Sequence, residues 1–245
     1  MYRVLSEEEN AWTQLDSGIY ENNVYANPLI QTVYLYQQVC MMNLLSKQDV
    51  LIEVGSGTGK FYHSHHHQVS RVVGIDISEQ FLKYARSKNP DSKKILLVQG
   101  DAVEMNSIFR SHPELQNNFW NKKRIVCCVL NTLGIMPFEI RQTVIQQMVK
   151  LMGNDGTFFL VVFNGDYFEQ GINDFYRMMP ECCGEIKNSD INLVTRELHV
   201  ASSGYYTHWF SKEELIGLVE NAGLKNYEIQ QAGIAYFVTG SLSQR

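Results

Sequence analysis

The chain has 245 residues, with 21 Lys and Arg against 26 Asp and Glu for a net charge of −5, and it is 44% hydrophobic and 19% charged. Such a chain is too apolar for a disordered protein, and it lacks the basic excess that displaces counterions from nucleic acid. No nucleic-acid partner is expected. Its longest apolar runs, residues 125–130 and 158–163, fall far short of the ~20 residues needed to span a bilayer. The start of the chain carries Glu7, Glu8 and Glu9 rather than the order of a secretory signal, so a cytoplasmic protein without a membrane segment is expected. Cys40 and the adjacent pairs Cys127-Cys128 and Cys182-Cys183 are an odd set with no metal-type spacing, which predicts buried or half-buried thiols.

In chain order, residues 6–46 read as helices, opened by a capping box of Ser6 and Glu9 and broken at Asn27-Pro28. Strand-like and helix-like segments then alternate. Strands are predicted at 49–54, 71–75, 94–99, 124–130 and 156–163, with helices at 58–69, 78–88, 103–109 and 139–152 between them. A polar connection through Pro113 and Asn117-Asn118 precedes the fourth strand. Strands apolar on both faces and separated by helices imply a parallel α/β sheet covered on both sides.

The alternation breaks over 164–206, where 192–200 reads as a strand. So long a segment is expected to be a cap with structure of its own. A capping box of Ser211 and Glu214 then opens a helix ending at Ala222-Gly223, followed by strands at 225–230 and 234–240. The expected organisation is an N-terminal helical lid (1–48), a cofactor-binding core (49–163), an inserted cap (164–206), and a segment completing the sheet (207–245).

The most informative stretch is residues 50–60, VLIEVGSGTGK. A parallel strand running into Gly55, Gly57 and Gly59 brings backbone against a ligand where a Cβ would collide. Asp76 ends the next strand, placed to accept hydrogen bonds from the ribose hydroxyls of an adenosine ligand, and Asp101 ends the third, within reach of an adenine edge. Three strand ends thus converge on one crevice. The glycines are spaced GxGxG with Lys60, Phe61 and Tyr62 following, which departs from the GxGxxG of dinucleotide enzymes.

With these residues in view, the chain resembles the class I S-adenosylmethionine (SAM)-dependent methyltransferases. The resemblance rests on Glu53-Val-Gly-Ser-Gly-Thr-Gly59, Val73-Gly-Ile-Asp-Ile-Ser78 and Gly100-Asp101-Ala102. It extends to Asn131-Thr-Leu-Gly134, Asp155-Gly-Thr157, Trp209-Phe-Ser211 and Ala222-Gly-Leu224. It implies a Rossmann-like seven-stranded sheet whose last strand is antiparallel. By the same resemblance Glu53, Gly55, Ser56, Gly57 and Gly59 hold the methionine part of SAM, Asp76 with Ile77 the ribose, and Asp101 with Ala102 the adenine. Asn131 faces the sulfonium and substrate, and Tyr25 closes over the cofactor. S-adenosylhomocysteine (SAH) is the implied product.

Only Tyr62 and Tyr84 of the 13 tyrosines fall within 49–163. The others lie in the flanks expected to roof the site, which favours a small acceptor, an amine nitrogen first, because aromatic faces attract ammonium groups. An oxygen or carbon acceptor, or a cofactor-binding protein without transfer, are the alternatives. Tyr20, Tyr25, Asn131, Tyr206 and Arg196 are the expected substrate contacts, and Tyr206, His208 and His199 the candidates for proton transfer. His63, His65, His66 and His67 have no neighbouring carboxylate or thiolate and are read as a helix surface, with no metal site. A monomer or homodimer is expected.

Overall fold

The computed structural model describes residues 12, 15–88, 93–115 and 119–242. The Ser6–Glu9 capping box and the Asn117-Asn118 pair lie outside the described residues. Strands β1 (Val50–Val54), β2 (Arg71–Asp76), β3 (Ile95–Gln99), β4 (Arg124–Cys128) and β5 (Thr157–Phe163) are joined by two late strands, β9 (Asn226–Ala232) and β10 (Ala235–Ser241). They form a seven-stranded sheet in the order β3-β2-β1-β4-β5-β10-β9. The first five strands run parallel, and β10 is antiparallel to both β5 and β9, the form that the sequence motifs imply.

The period of two along each strand divides the interior into two cores. Leu51, Ile125, Cys127, Phe159 and Val161 face one side, and Ile52, Val126, Cys128, Phe158 and Leu160 the other. The first side is covered by helices Pro28–Leu44, Lys60–His65 and Glu79–Ser87, and the second by Phe138–Met152 and Lys212–Asn221. Each such side chain contributes roughly 1.5–3 kcal/mol on burial, which fixes the register that carries the loops.

Local signals account for most boundaries. The Ser78 hydroxyl caps Glu79–Ser87, whose Phe81, Leu82 and Ala85 are buried. Asn27 ends Ser17–Ala26 and caps Pro28–Leu44 through Leu29 N–H at 3.0 Å. The Ser211/Glu214 capping box is present. The helix expected over 58–69 is shorter, Lys60–His65 followed by a 3₁₀ turn to Gln68, because Gly59 at φ 79° occupies its N-cap.

The strand expected over 192–200 is two strands. Ile191–Asn192 (β6) and Glu197–Val200 (β7) are separated by a turn in which the Asn192 side chain accepts from Val194 and Thr195 N–H, and Arg196 adopts φ 57°. A side chain bonding the backbone ahead of it replaces ladder bonds with a turn. With Tyr205–His208 (β8), these make a separate three-stranded antiparallel sheet. The chain returns to the main sheet at Phe210, whose N–H donates to Phe163 O while Gly165 N–H donates to Phe210 O. Trp209, fully buried, packs on Phe163, Phe168 and Tyr176 at this junction.

Candidate active site

The loop after β1 carries three positive-φ glycines, Gly55, Gly57 and Gly59. At Gly55 a Cβ would strike Thr132, and at Gly59 it would strike Tyr62, whereas at Gly57 it would meet, among the described residues, nothing nearer than Gly55 O at 4.0 Å. The open side of Gly57 is the cradle. Asp76 ties this loop to the end of β2: its Oδ2 accepts from Gly57 N–H and its Oδ1 from Ser78 N–H, each at 2.8 Å. The carboxylate keeps a lone pair for a ligand. Burial pushes the Asp76 carboxyl up, and the Ser78, Gly57 and Ile77 N–H groups oppose that shift.

Glu53, in β1, is 2% exposed, and among the described residues its Oε2 has no hydrogen-bond partner. Burial raises its carboxyl well above the ordinary range despite the Tyr62 backbone N–H that opposes the rise. A buried carboxyl with an orphaned oxygen is stabilised by a cationic partner, so the site suits a ligand bearing an ammonium group. Asp101 caps the 3₁₀ turn Ala102–Glu104 through Val103 N–H at 3.0 Å, leaving its second oxygen free of that bond. Ala102 is half-buried and Ile77 is exposed. Glu53, Gly57, Asp76 and Asp101 thus stand at the carboxyl ends of three adjacent parallel strands, the place where open α/β sheets bind ligands.

Past β4 the chain takes two consecutive left-handed residues, Leu130 at φ 52° and Asn131 at φ 61°. Asn tolerates this conformation and Leu does not, so strain is stored here. Asn131 is held by its own amide: Nδ2 donates to Thr207 Oγ1 at 3.1 Å and His208 O at 3.2 Å, and Oδ1 accepts from Phe163 N–H at 2.9 Å. The side chain expected to face the sulfonium is thereby spent on joining β4, β5 and β8, although Asn131 still lines a cavity above the strand ends.

That cavity, about 40 Å³, is walled by Asn131 and Thr132, by Tyr20 and Trp12 from the N-terminal region, by Phe175 and Tyr176, and by Tyr205 and Thr207 of β8. Tyr20 packs on Phe81 with ring centroids 5.4 Å apart, on Trp12 at 5.6 Å and on Tyr25 at 6.5 Å. Burial raises the Tyr20 phenol, and the Asp76 carboxylate adds to the shift. Tyr25 lies outside the lining. It sits against Tyr34, with Lys60 Nζ 5.5 Å from its ring, and feels the charge of Glu53.

The candidates for proton transfer lie elsewhere, and strand parity is the reason. Tyr205 and Thr207 point from β8 into the cavity, so Tyr206 and His208 point away. Tyr206 OH donates to Glu197 Oε1 at 2.7 Å and accepts from buried Arg141 at 2.9 Å, and its phenol is pushed up to about 12 by burial. His208 Nε2 lies 3.3 Å from Glu214 Oε1. His199 is exposed beside Tyr206. Arg196, expected on substrate, pairs with Glu214 at 3.2 Å and packs against Gly165. Sequence reasoning missed Thr207, Tyr176 and Phe175. The large Trp209 was the available signal, because it shares a face with Tyr205 and Thr207 and marks that face as the inner one.

The histidine run is helix and turn, but it is not the helix surface expected, because His65 faces the core. His65 is buried against Phe61 with its imidazole lowered to about 4, and the His66 ring meets His63 O at 2.7 Å. Among the described residues no group of three His, Cys, Asp or Glu stands close enough to hold a metal ion, and no helix is long and apolar enough to cross a membrane. The five cysteines are free, four of them buried.

A family model described as a methyltransferase domain matches residues 51–156. No curated protein matches the sequence. Among solved structures, the chain is similar to a SAM-dependent methyltransferase from Anabaena variabilis at 16% identity, covering 96% of this chain and 94% of that one with a TM-score of 0.62. It is similar to the CcbJ methyltransferase from Streptomyces caelestis at 15% identity, with coverage of 96% and 99% and a TM-score of 0.63. It is also similar to DhpI in a complex with SAM and HEP at 15% identity, with coverage of 98% and 99% and a TM-score of 0.61. Likeness at these identities speaks for the fold, and the matched domain contains Glu53, the glycine loop, Asp76 and Asp101. The motif-bearing strands thus lie inside a segment that matches a methyltransferase-domain model, and the sheet has the form that the resemblance to class I SAM-dependent methyltransferases implies.

Proposed function

We propose that this protein transfers a methyl group to a small-molecule acceptor held in the aromatic cavity, with an uncharged amine nitrogen as the nucleophile. One observation carries the choice of nucleophile: among the described residues, the cavity lining has no carboxylate, imidazole or ammonium group. Burial also keeps the phenols of Tyr20, Tyr176 and Tyr205 protonated. A hydroxyl or acid must lose a proton before it attacks, and this lining holds no base to take one at neutral pH. A neutral amine attacks with the lone pair it already has.

Bound SAM supplies a methyl group on a positively charged sulfur, open to displacement from the side opposite that sulfur. In this reading Glu53 and the loop Gly55, Ser56, Gly57 and Gly59 bind its amino-acid end, Asp76 beside Ile77 its ribose, and Asp101 with Ala102 its adenine. Tyr25 covers the loop. Tyr20 and the inserted cap align the acceptor and exclude water, which is the main contribution of a protein to such a transfer. The free thiols support a reducing, cytoplasmic setting, and the proposal covers a monomer or homodimer.

Two measurements test the reading. Calorimetry with SAH should show binding by the wild-type protein, and its absence would overturn the assignment of the crevice. A panel of amines, carboxylic acids and phenols, incubated with SAM and assayed for SAH release, should yield turnover on amines. Turnover confined to acids or phenols would overturn the choice of nucleophile, and a silent panel with intact SAH binding would make this a binding protein.

A further inference from the structure

One buried hydrogen-bond chain determines what the cavity offers to an acceptor. Trp209 Nε1, which can only donate, donates to Tyr176 OH at 2.9 Å, and Tyr176 OH donates to Thr207 Oγ1 at 3.3 Å. From the other side Asn131 Nδ2 donates to the same Oγ1 at 3.1 Å. The orientation of that amide is set, because Phe163 N–H donates to its Oδ1 and the His208 carbonyl accepts from its Nδ2. A threonine hydroxyl has two lone pairs and one proton. Both lone pairs of Thr207 are therefore occupied, and among the described residues no acceptor stands opposite its proton. Thr207 is fully buried and lines the cavity, so the cavity is the space left for that proton.

We propose that Thr207 donates a hydrogen bond to a neutral carbonyl oxygen of the acceptor molecule and is thereby a positioning and specificity-determining residue. The inference rests on the reading that the acceptor enters this cavity. A carboxylate in the same place would be a buried charge without a cation in the lining, and an ammonium would set donors against a donor. A carbonyl accepts the proton and needs nothing in return. The acceptor class is therefore a small amine that also carries a carbonyl group, anchored at Thr207 so that its nitrogen lies toward the crevice.

The test uses two isosteric probes, acetophenone and α-methylstyrene, which differ by O in place of CH₂. Each is titrated into the full-length, SAH-loaded protein. The wild type should bind acetophenone about tenfold more tightly, and the carbonyl stretch of the bound ketone should move to lower wavenumber. Thr207→Val should bind both probes alike, and Thr207→Ser should restore the preference. Equal affinity in the wild type, including failure to bind either probe, overturns the proposal, as does a preference that survives Thr207→Val. Should that variant not fold, an unshifted carbonyl stretch in the wild type overturns the proposal by itself. SAH binding is measured in the same samples, so loss of the cofactor reading is distinguishable from loss of this one.

Discussion

Asp76 accepts the Gly57 backbone N–H at 2.8 Å, so the acid at the end of β2 holds the glycine loop at the end of β1 in shape. One side chain therefore both builds the cradle and faces the crevice. Asp76→Ala should weaken SAH binding by tenfold or more and cost about 1–3 kcal/mol of stability, since two backbone N–H groups lose a charged acceptor. Calorimetry and denaturant titration on one preparation would separate the two effects. Unchanged SAH affinity would remove Asp76 from the site.

Gly57 and Gly55 share a left-handed backbone and differ in their surroundings. Gly57→Ala should cost only about 1–2 kcal/mol of backbone strain while reducing SAH affinity disproportionately, because its new methyl projects into open space. Gly55→Ala should be the less stable variant, since its Cβ strikes Thr132. Thermal melts with and without SAH would rank them.

The three hydrogen bonds of the buried Asn131 amide predict that Asn131→Ala destabilises the fold by about 3 kcal/mol. Asn131→Asp should give no rescue, because a carboxylate cannot donate to the His208 carbonyl. Urea midpoints of the two variants provide the check.

Tyr206 and His199 face away from the cavity. Tyr206→Phe and His199→Ala should leave the methyl-transfer rate within about twofold of wild type. Tyr206→Phe alone should lose about 1 kcal/mol of stability with its bonds to Glu197 and Arg141. A large fall in rate for either variant, measured as SAH release, would return them to the reaction.

His65 gives a pH-dependent prediction. Burial lowers its imidazole to about 4, below the ordinary value of 6.5, so the unfolded chain binds the extra proton first. Its contribution is fully present above pH 6.5 and is lost as pH falls toward 4, by up to about 3 kcal/mol. The stability difference between wild type and His65→Gln should therefore shrink between pH 7 and pH 4. A difference that is constant across that range would refute it.

Much of the molecule was legible in the chain because the relevant physics is local. Phe81, Leu82 and Ala85 fall on one face of a helix wherever that helix packs, and Ser211 with Glu214 caps a helix from within four residues. Gly55, Gly57 and Gly59 announced a backbone that side chains avoid. The turn at 193–196 was hidden because Asn192 competes for the backbone of a segment whose side-chain alternation is otherwise strand-like.

The sequence by itself determined the sheet, the glycine loop and the three acids that end successive strands, since each is written in contiguous residues and strand periodicity. Only the tertiary structure decided the acceptor side. Which of Tyr205 or Tyr206 faces inward depends on how β8 seats against Trp209 and Asn131. The free proton of Thr207 exists because Tyr176, Asn131 and Thr207, far apart in the chain, meet in one buried chain of donors. Strand parity is a local property, but the face that is buried is chosen by the partner across the core.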